Sequence, residues 1–402
     1  MSFGHIAYRA AVGAALAAGL TMSALPAHAD QSKESQIAKI VREAKKDGHL
    51  KAVIVRVTKG NKVITTKAFG DSMNGVPATK DMRFRNGAVA FAYVSTLLLE
   101  FVDQGKVELN DTIDQWLPDV PEADKVTLKM LANQTSGYPD YEQDADFARA
   151  FYENPFRKWT YKQRAKVAFS KPMLFEPGTN WSYAHTNFML LGKILSDVGG
   201  KPLAKLLRQQ VLKPMGLKAT VANQTAEIPD PVLHSFSGER RGSLGVSAGV
   251  PFLEESTFWN VAWGTPVGAT QTTNIYDMAR SARSVGTGQL LSTKSYRAMT
   301  QPRLLGFGHK QDNCPTCFQQ SIGYNYGLGI VRTGDWLIQN PLLSGYGSTM
   351  AFLPGKDVAI AVATTYKRGA FDADGNYSNA SDSIFREIGA LMAPKDAPPT
   401  KK

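Results

Sequence analysis

The chain has 402 residues, of which 43% are hydrophobic and 20% charged, and its 46 lysines and arginines outnumber 35 acidic residues. This balance excludes an intrinsically disordered protein and is enough for one large or two ordinary folded domains. The basic residues are dispersed and form no stripe interleaved with aromatic residues. We therefore predict no nucleic-acid partner and, at most, a weak association with an anionic cell-envelope surface.

The first 29 residues have the pattern of a secretory signal peptide. One positive charge at Arg9 precedes an apolar run over residues 10–25, and residues 26–29 read Pro-Ala-His-Ala. Such a run is too short to span a membrane, and the small residues after it are typical of a cleavage site. We predict cleavage before Asp30 and a mature protein that is secreted, periplasmic or located at the cell envelope.

The next segment predicts a helix followed by a hairpin. Residues 35–46 place apolar side chains on one side of a helix that ends at Gly48. Two stretches rich in valine and isoleucine, 50–58 and 62–69, follow with a glycine-containing turn between them. We expect the helix to lie across the sheet that contains this hairpin.

Residues 83–106 contain the most buried helix that the sequence predicts. From residue 89 to residue 102 nearly every face is apolar, and Gly105 follows as a helix-ending glycine. A helix that is apolar all round is typical of the centre of a large domain.

The same stretch resembles the serine β-lactamase, penicillin-binding protein and DD-peptidase superfamily, in particular its class C and esterase-like branch. The family's turn reads Phe-Arg-x-Gly-Ser-x-x-Lys, and Phe84, Arg85 and Gly87 match it. In the family, the serine attacks a carbonyl carbon and the lysine takes its proton. Here Ala88 stands at the serine position and Phe91 at the lysine position. The resemblance therefore implies the family's fold without its nucleophile and base.

Other hydroxyl groups at suggestive spacings are interpreted as structural. No Ser-x-x-Lys occurs in the chain, and Thr364 and Lys367 have the same spacing on a predicted strand, where i and i+3 point to opposite faces. Residues 245–249 read Gly-Val-Ser-Ala-Gly. A hydrolase nucleophile in that motif needs a strand before it and a helix after it. Neither is visible around Ser247, so we expect a flexible loop.

Two further segments resemble the family's signatures. Residues 134–141 resemble its His-Thr-Ser-Gly-x-Pro-x-Tyr turn with Gln134 in place of histidine, so Ser136 is interpreted as a turn residue. Tyr183 and His185 occupy the family's Tyr-x-Asn signature, with histidine replacing asparagine. A phenol and an imidazole can exchange a proton. Two interpretations stay open, a pair in the pocket wall that contacts a ligand and a catalytic pair.

The resemblance places the family's third signature, Lys-Thr-Gly or His-x-Gly, at residues 339–341. This chain reads Gln339, Asn340 and Pro341 there, and the proline removes a backbone donor. Gln339 can hydrogen-bond a ligand but carries no positive charge to hold a carboxylate.

The two cysteines, Cys314 and Cys317, form a Cys-Pro-Thr-Cys sequence. In an exported chain this spacing favours a disulfide that closes a short loop. A redox site would need a thioredoxin-like unit around it, and a zinc site would need two more ligands. We predict a disulfide and expect no metal and no cofactor.

Strand patterns return after residue 324 and give the order of elements of an α+β fold. The resemblance implies a β-lactamase/transpeptidase-like architecture, an antiparallel sheet flanked by helices with a helical subdomain. The predicted elements are strands over 326–332, 349–353 and 358–364, a last helix over 381–391 and a disordered tail over 393–402. The predicted domain covers 30–392, with a sheet region at about 33–85 and 305–392 and a helical region at about 86–304.

Three functions are compatible with this sequence. The first is a catalytically impaired homologue that binds a small molecule or a cell-wall peptide in a cleft. The second is an active esterase-, β-lactamase- or carboxypeptidase-like hydrolase that uses Tyr183 and His185, and the third is a protein that interacts through its surface. The residues expected to line the cleft are Ala88, Phe91, Tyr183, His185 and Gln339.

Overall fold

The computed structural model describes residues 32–222, 225–247 and 249–399, and every structural statement below refers to them. The predicted signal peptide at residues 1–29 lies outside the described residues, as do residues 400–402 of the predicted tail. Residues from Lys33 onward cluster into one unit.

Long and short elements alternate along the described chain. The helices are α1 (Lys33–Asp47), α2 (Val89–Asp103), α3 (Leu128–Ala132), α4 (Ala145–Glu153), α5 (Tyr161–Ala168), α6 (His185–Gly199), α7 (Leu203–Leu206), α8 (Ile275–Gly286), α9 (Thr293–Thr300) and α10 (Ala380–Met392). The strands are β1 (Leu50–Lys59), β2 (Lys62–Met73), β3 (Val76–Pro77), β4 (Arg83–Arg85), β5 (Val221–Ala222), β6 (Phe236–Ser237), β7 (Glu254–Glu255), β8 (Gln271–Asn274), β9 (Asn325–Tyr326), β10 (Val331–Thr333), β11 (Trp336–Gln339), β12 (Leu342–Leu343), β13 (Tyr346–Leu353) and β14 (Val358–Tyr366).

The largest sheet of the described residues has nine strands. Its order is β3-β2-β1-β14-β13-β11-β10-β9, with β12 pairing to β13, and the neighbouring strands are antiparallel. Strand β1 from the start of the chain pairs with β14 from its end. The predicted α+β class, with an antiparallel sheet flanked by helices, is confirmed.

The two faces of this sheet pack against different helices because side chains alternate along each strand. Val55 of β1 pairs with Val362 of β14, and both belong to the hydrophobic cluster that includes residues of α1 and α10. Ile54 pairs with Ala363, and both belong to the larger cluster that includes α2, α6 and α8. The sheet therefore separates the terminal helices from the helical region that holds the site.

Helix α2 is the buried centre of that region, as the sequence predicted. All its residues from Val89 to Leu99 are buried, and Gly105 follows with a φ of +69°. The turn between β9 and β10 passes close over the first turn of the helix. A Cβ atom on Gly329 would lie 2.7 Å from the Phe91 carbonyl oxygen, so only glycine fits at this approach.

The predicted strand over 326–332 is instead two short strands, β9 and β10. Between them the chain turns, because Gly327 N–H donates to the Ile330 carbonyl at 2.8 Å and Gly329 adopts a φ of +65°. The apolar alternation on both sides of these glycines resembles one continuous strand, which explains the difference.

Residues 393–399 were expected to be disordered, but the structure packs them against the sheet region. The Trp336 indole N–H donates to the Asp396 carbonyl at 2.7 Å, and Pro394–Asp396 forms a short 3₁₀ turn. A fully buried indole needs an acceptor, and this segment supplies one. Among the described residues, no helix has the length and apolar character needed to cross a membrane.

Candidate functional site

A cavity of about 420 Å³ lies where the first turns of α2 and α6 meet the end of β11. The structure brings four of the five predicted cleft residues to its wall, namely Ala88, Tyr183, His185 and Gln339. The other lining residues are Gly87, Glu142, Val261, Trp263, Gly264, Thr265, Tyr324, Tyr326, Val331, Asn340, Pro341, Leu342, Leu343 and Asn379.

The start of α2 presents no polar side chain to this cavity. Ala88 is the N-cap residue of the helix and provides no side-chain cap. Phe91, which the sequence analysis placed on the cleft wall, is fully buried instead. Its ring stacks on Phe188 of α6, with centroids 3.9 Å apart and planes 3° from parallel. The ring therefore forms the apolar layer beneath the cavity, because its position in the helix turns it toward α6.

His185, the first residue of α6, contacts two carboxylates. Its Nδ1 atom lies 3.0 Å from Asp140 Oδ2 and 3.1 Å from Glu142 Oε2. The His185 backbone N–H also donates to Asp140 Oδ1 at 3.2 Å. The His185 side chain is only 18% exposed and the two carboxylates are less exposed still. These three side chains form a nearly buried charged cluster at the cavity wall.

The two carboxylates determine the protonation of the imidazole. Burial alone would lower the pKa of His185, but the charges of Glu142 and Asp140 outweigh it and raise this pKa to about 9. Burial also raises the pKa of Glu142 well above its ordinary value, although the His185 charge opposes the shift. At neutral pH the imidazole is therefore protonated, its Nδ1–H donates to Asp140 Oδ2, and Glu142 lies within ion-pair distance of it.

Tyr183 is close to this cluster, and its phenol stays protonated. Its ring centroid lies 5.1 Å from that of His185 in an edge-on arrangement and 6.1 Å from that of Phe91. Burial, followed by the neighbouring Tyr326 and Tyr324, raises the pKa of the Tyr183 phenol well above its ordinary value. The phenol therefore stays neutral across the physiological pH range.

The sequence analysis missed Asp140 and Glu142 as site residues. Both lie in the segment that follows the Gly137 turn, where acidic residues are common as turn and helix caps. Asp140 does have such a role, because its Oδ1 accepts the Glu142 N–H at 3.1 Å. One signal in the sequence could have indicated them. Asp140 and Glu142 stand two positions apart at the end of one family signature, and the second signature contains His185.

Gln134 connects the first signature segment to the second. Its side-chain oxygen accepts hydrogen bonds from Ala184 N–H at 3.0 Å and from the Asn187 amide at 2.5 Å. Ser136, interpreted as a turn residue, is fully buried and donates to Asn187 Oδ1 at 2.5 Å. Gln134 thus holds the Ala184 backbone and the Asn187 side chain, Ser136 holds the same Asn187 side chain, and neither residue lines the cavity.

Arg164 of α5 fixes the opposite wall. This fully buried guanidinium donates to the carbonyl groups of Ala262, Trp263 and Thr265 at 3.2, 2.9 and 2.6 Å. It also lies over the Tyr141 ring, with 5.6 Å to the centroid. These carbonyl dipoles compensate the cost of burying the Arg164 charge, and the hydrogen bonds tie residues 262–265 of the cavity wall to α5.

Gln339 closes the cavity on the sheet side. It is the last residue of β11, and its amide donates to the Gly329 carbonyl at 2.8 Å. Next to it, the chain approaches the turn before α2 so closely that a Cβ on Gly87 would lie 2.7 Å from Pro341 Cβ. The side-chain amide nitrogen of Gln339 is therefore used by the fold, and the residue lines the cavity.

The other hydroxyl candidates lie away from this cavity. Thr364 is buried in β14, where its hydroxyl donates to the Gly347 carbonyl at 3.2 Å. Ser247 lies in a loop with no strand or helix in the described residues 242–247. Neither residue lines the cavity.

Cys314 and Cys317 are joined by a disulfide in the structure. The loop that they close contacts the segment before His185. Cys317 forms an antiparallel bridge with Ser182, whose hydroxyl also lies 2.7 Å from the Thr316 hydroxyl. The disulfide loop is therefore attached to the backbone that carries Tyr183.

A family model described as Beta-lactamase matches residues 37–383. A D-aminopeptidase of Gluconobacter oxydans is 26% identical over 79% of this chain and 56% of its own length. The D-alanyl-D-alanine-carboxypeptidase/endopeptidase AmpH of Escherichia coli is 28% identical over 44% of this chain and 46% of its own length. The chain thus spans about half the length of these relatives.

Solved structures show the same fold. A D-amino acid amidase from Ochrobactrum anthropi SV3 complexed with L-phenylalanine has a TM-score of 0.73 and 21% identity, covering 89% of this chain and 98% of that one. A D-stereospecific amidohydrolase from Streptomyces sp. has a TM-score of 0.71 and 21% identity, covering 87% of this chain and 98% of that one. With the family model covering most of the residues, this chain belongs to the beta-lactamase family.

Proposed function

We propose that this protein binds a small ligand with a primary ammonium group, such as an amino acid derivative or a cell-wall-derived peptide, without forming a covalent intermediate. The observation that carries the proposal is the wall of the cavity. It combines an alanine at the start of α2 with the carboxylate of Glu142 beside a protonated His185.

The residues at the start of α2 support the proposed absence of acyl transfer. A serine nucleophile of this family needs a nearby base to accept its proton. Ala88 has no hydroxyl group, and Phe91 replaces the amine by a ring that is stacked on Phe188. Neither group forms or breaks a covalent bond with a carbonyl carbon.

Recognition of an ammonium group is supported by the charges in the cluster. Two carboxylates contact a single imidazolium, and Glu142 lines the cavity. The charge of Arg164 also acts on Glu142 and His185. A carboxylate at the cavity wall can accept a hydrogen bond from a ligand ammonium group and pair with its positive charge. The names of similar proteins also support an amino acid derivative as the ligand, since one is a D-aminopeptidase and one is a D-amino acid amidase complexed with L-phenylalanine.

Isothermal titration calorimetry tests this proposal. We expect D- or L-phenylalaninamide to bind the purified protein, and their N-acetylated forms, which have no ammonium group, to bind at least tenfold more weakly. Glu142→Gln should weaken binding of the amine, whereas Glu153→Gln, a carboxylate change on the exposed surface of α4, should not. Equal binding of amine and acetylated forms would refute the proposal.

A second candidate is hydrolysis with Tyr183 and His185, which family membership favours. Its weakness is that a protonated imidazole and a neutral phenol are poor general bases near neutral pH. Release of ammonia from phenylalaninamide, lost in Tyr183→Phe with folding intact, would establish it. A stable adduct with a β-lactam or an activated ester in intact-mass spectra would reveal a nucleophile and contradict the first proposal.

We also propose that the protein is exported. The leader pattern of residues 1–29 and the Cys314–Cys317 disulfide both support an oxidising location outside the cytoplasm. The formal net charge of +11 supports a weak attraction to anionic envelope surfaces. Edman sequencing of protein from the extracytoplasmic fraction should begin at Asp30, and an uncleaved N-terminus in the cytoplasmic fraction would refute export.

A further inference from the structure

A second, larger cavity adjoins the first one. Its volume is about 940 Å³. Tyr183 and Tyr324 line both this cavity and the 420 Å³ cavity described above, and they therefore belong to the walls of both.

The second cavity is lined by aromatic rings in mutual contact. The Trp181 ring lies 4.8 Å from the Phe318 ring and 5.8 Å from the Tyr324 ring, and Phe318 and Tyr324 are 5.5 Å apart. All three pairs are edge-to-face. Trp181 is buried behind the other two, which are half-buried and so present ring surface to the cavity. Walls of this composition favour an aromatic or large apolar group.

The disulfide loop forms one wall of this cavity, and this wall is ordered without a ligand. Pro315 and Thr316 line the cavity, and Thr316 is held by the Ser182 hydroxyl. On the neighbouring side, Asn180 Oδ1 accepts the His309 N–H at 2.9 Å. A wall that is fixed in advance costs little ordering when a ligand binds, which strengthens binding.

We infer that the second cavity is a subsite for an aromatic or large apolar side chain of the ligand whose ammonium group binds at Glu142. This inference rests on the proposed function and narrows its ligand class. The preferred ligand is then longer than a single amino acid, such as a short peptide with a free amino terminus and an aromatic residue in the second position.

The test is a series of three probes measured by isothermal titration calorimetry. Glycinamide carries the ammonium group alone, and glycyl-phenylalaninamide, with either D- or L-phenylalanine, adds the aromatic group. N-acetylglycyl-phenylalaninamide keeps the aromatic group but has no ammonium. We expect one of the glycyl-phenylalaninamides to bind at least about tenfold more tightly than glycinamide, because a phenyl ring leaves water.

Substitutions in the wall of the second cavity test whether the tighter binding of the aromatic probe depends on that cavity. Ser321→Trp fills the cavity from its exposed rim and Phe318→Ala removes one wall, and each should abolish the tenfold gain while leaving glycinamide binding unchanged. Ile322→Ala is the matched control, because this 68% exposed side chain is next to the cavity but does not line it. If Phe318→Ala unfolds the protein, the rim variant Ser321→Trp decides alone.

The outcomes separate this inference from the proposed function. Binding of glycinamide without any gain for the aromatic probes, or a gain that survives Ser321→Trp, overturns the second subsite and leaves the ammonium site standing. If glycinamide and the glycyl-phenylalaninamides all fail to bind the wild-type protein, the proposed function fails and the subsite fails with it.

Discussion

The ring of Phe91 in α2 lies 3.9 Å from the ring of Phe188 in α6, with the two planes 3° apart. This stack joins the two helices whose first turns carry Ala88 and His185, so it sets the separation of two walls of the cavity. Both rings are fully buried. The layer beneath the cavity is therefore apolar and needs no charged partner.

The first prediction concerns this stack. Phe91→Ala should lower the free energy of unfolding by about 3 kcal/mol, because it leaves a cavity between two helices. Phe91→Lys should lower it at least as much, since an amine would be buried among rings. Urea unfolding followed by tryptophan fluorescence measures both. Phe156→Ala, which removes a 62% exposed ring, is the control and should have little effect. An unchanged unfolding midpoint in Phe91→Ala would show that the stack contributes nothing.

The second prediction concerns the pH dependence of stability. The pKa of His185 is raised to about 9 in the folded protein from 6.5, so the folded state binds this proton more tightly than the unfolded state does. The stabilisation is complete below pH 6.5 and is lost as the pH rises through 9, by roughly 3 kcal/mol. Urea unfolding at intervals between these pH values should show the decline. The decline should be smaller in His185→Gln, and an equal decline in that variant would exclude His185 as its source.

The central elements could be predicted from the sequence because their signals are local. Helix α2 follows from an apolar pattern over residues 89–102 and a glycine stop, and it was found as Val89–Asp103. The hairpin of β1 and β2 follows from two branched-residue runs around one turn. The family resemblance then supplied the positions that gather around the start of α2.

The charged cluster could not be predicted because it depends on contacts between distant segments. Asp140 and His185 are 45 positions apart, and nothing in the local pattern of either indicates the other. The family resemblance identified Phe91 as the residue at the lysine position but did not predict the direction of its side chain. The ring packs against Phe188 of α6 and does not line the cavity. Residues 393–399 have a composition typical of disorder, yet the buried Trp336 indole uses one of their carbonyls.

The third prediction concerns the wall that Arg164 holds. Arg164→Met keeps much of the side-chain volume but removes this donor from the Ala262 and Thr265 carbonyls and leaves the Trp263 carbonyl with the Tyr141 hydroxyl alone. We expect a loss of about 3 kcal/mol in the free energy of unfolding. Hydrogen exchange of residues 261–265 should also become faster, since the segment is no longer tied to α5. Arg149→Met on the exposed side of α4, where the arginine side chain is 64% exposed, is the control. Protection equal to wild type in Arg164→Met would show that the wall is held by other contacts.

The fourth prediction is that amine binding is linked to proton release. Burial raises the pKa of Glu142 well above its ordinary value, so this carboxyl group keeps its proton to a higher pH than an exposed glutamate does. A ligand ammonium group stabilises the ionised form and lowers that pKa, which expels the proton. The affinity for phenylalaninamide should therefore rise with pH until Glu142 is fully ionised. At higher pH it should fall again, because the ligand's own ammonium group loses its proton.

Calorimetry in buffers of different ionisation enthalpy measures this linkage directly. In wild-type protein the observed binding enthalpy should depend on the buffer with the sign of proton release. In Glu142→Gln that dependence should disappear, because the amide has no proton to lose, whereas Glu153→Gln should retain it. A dependence that is unchanged in Glu142→Gln would mean that the ammonium group binds elsewhere. Proton uptake in place of release would mean that the ligand raises the pKa of a group in the cluster, as an anionic ligand beside His185 does.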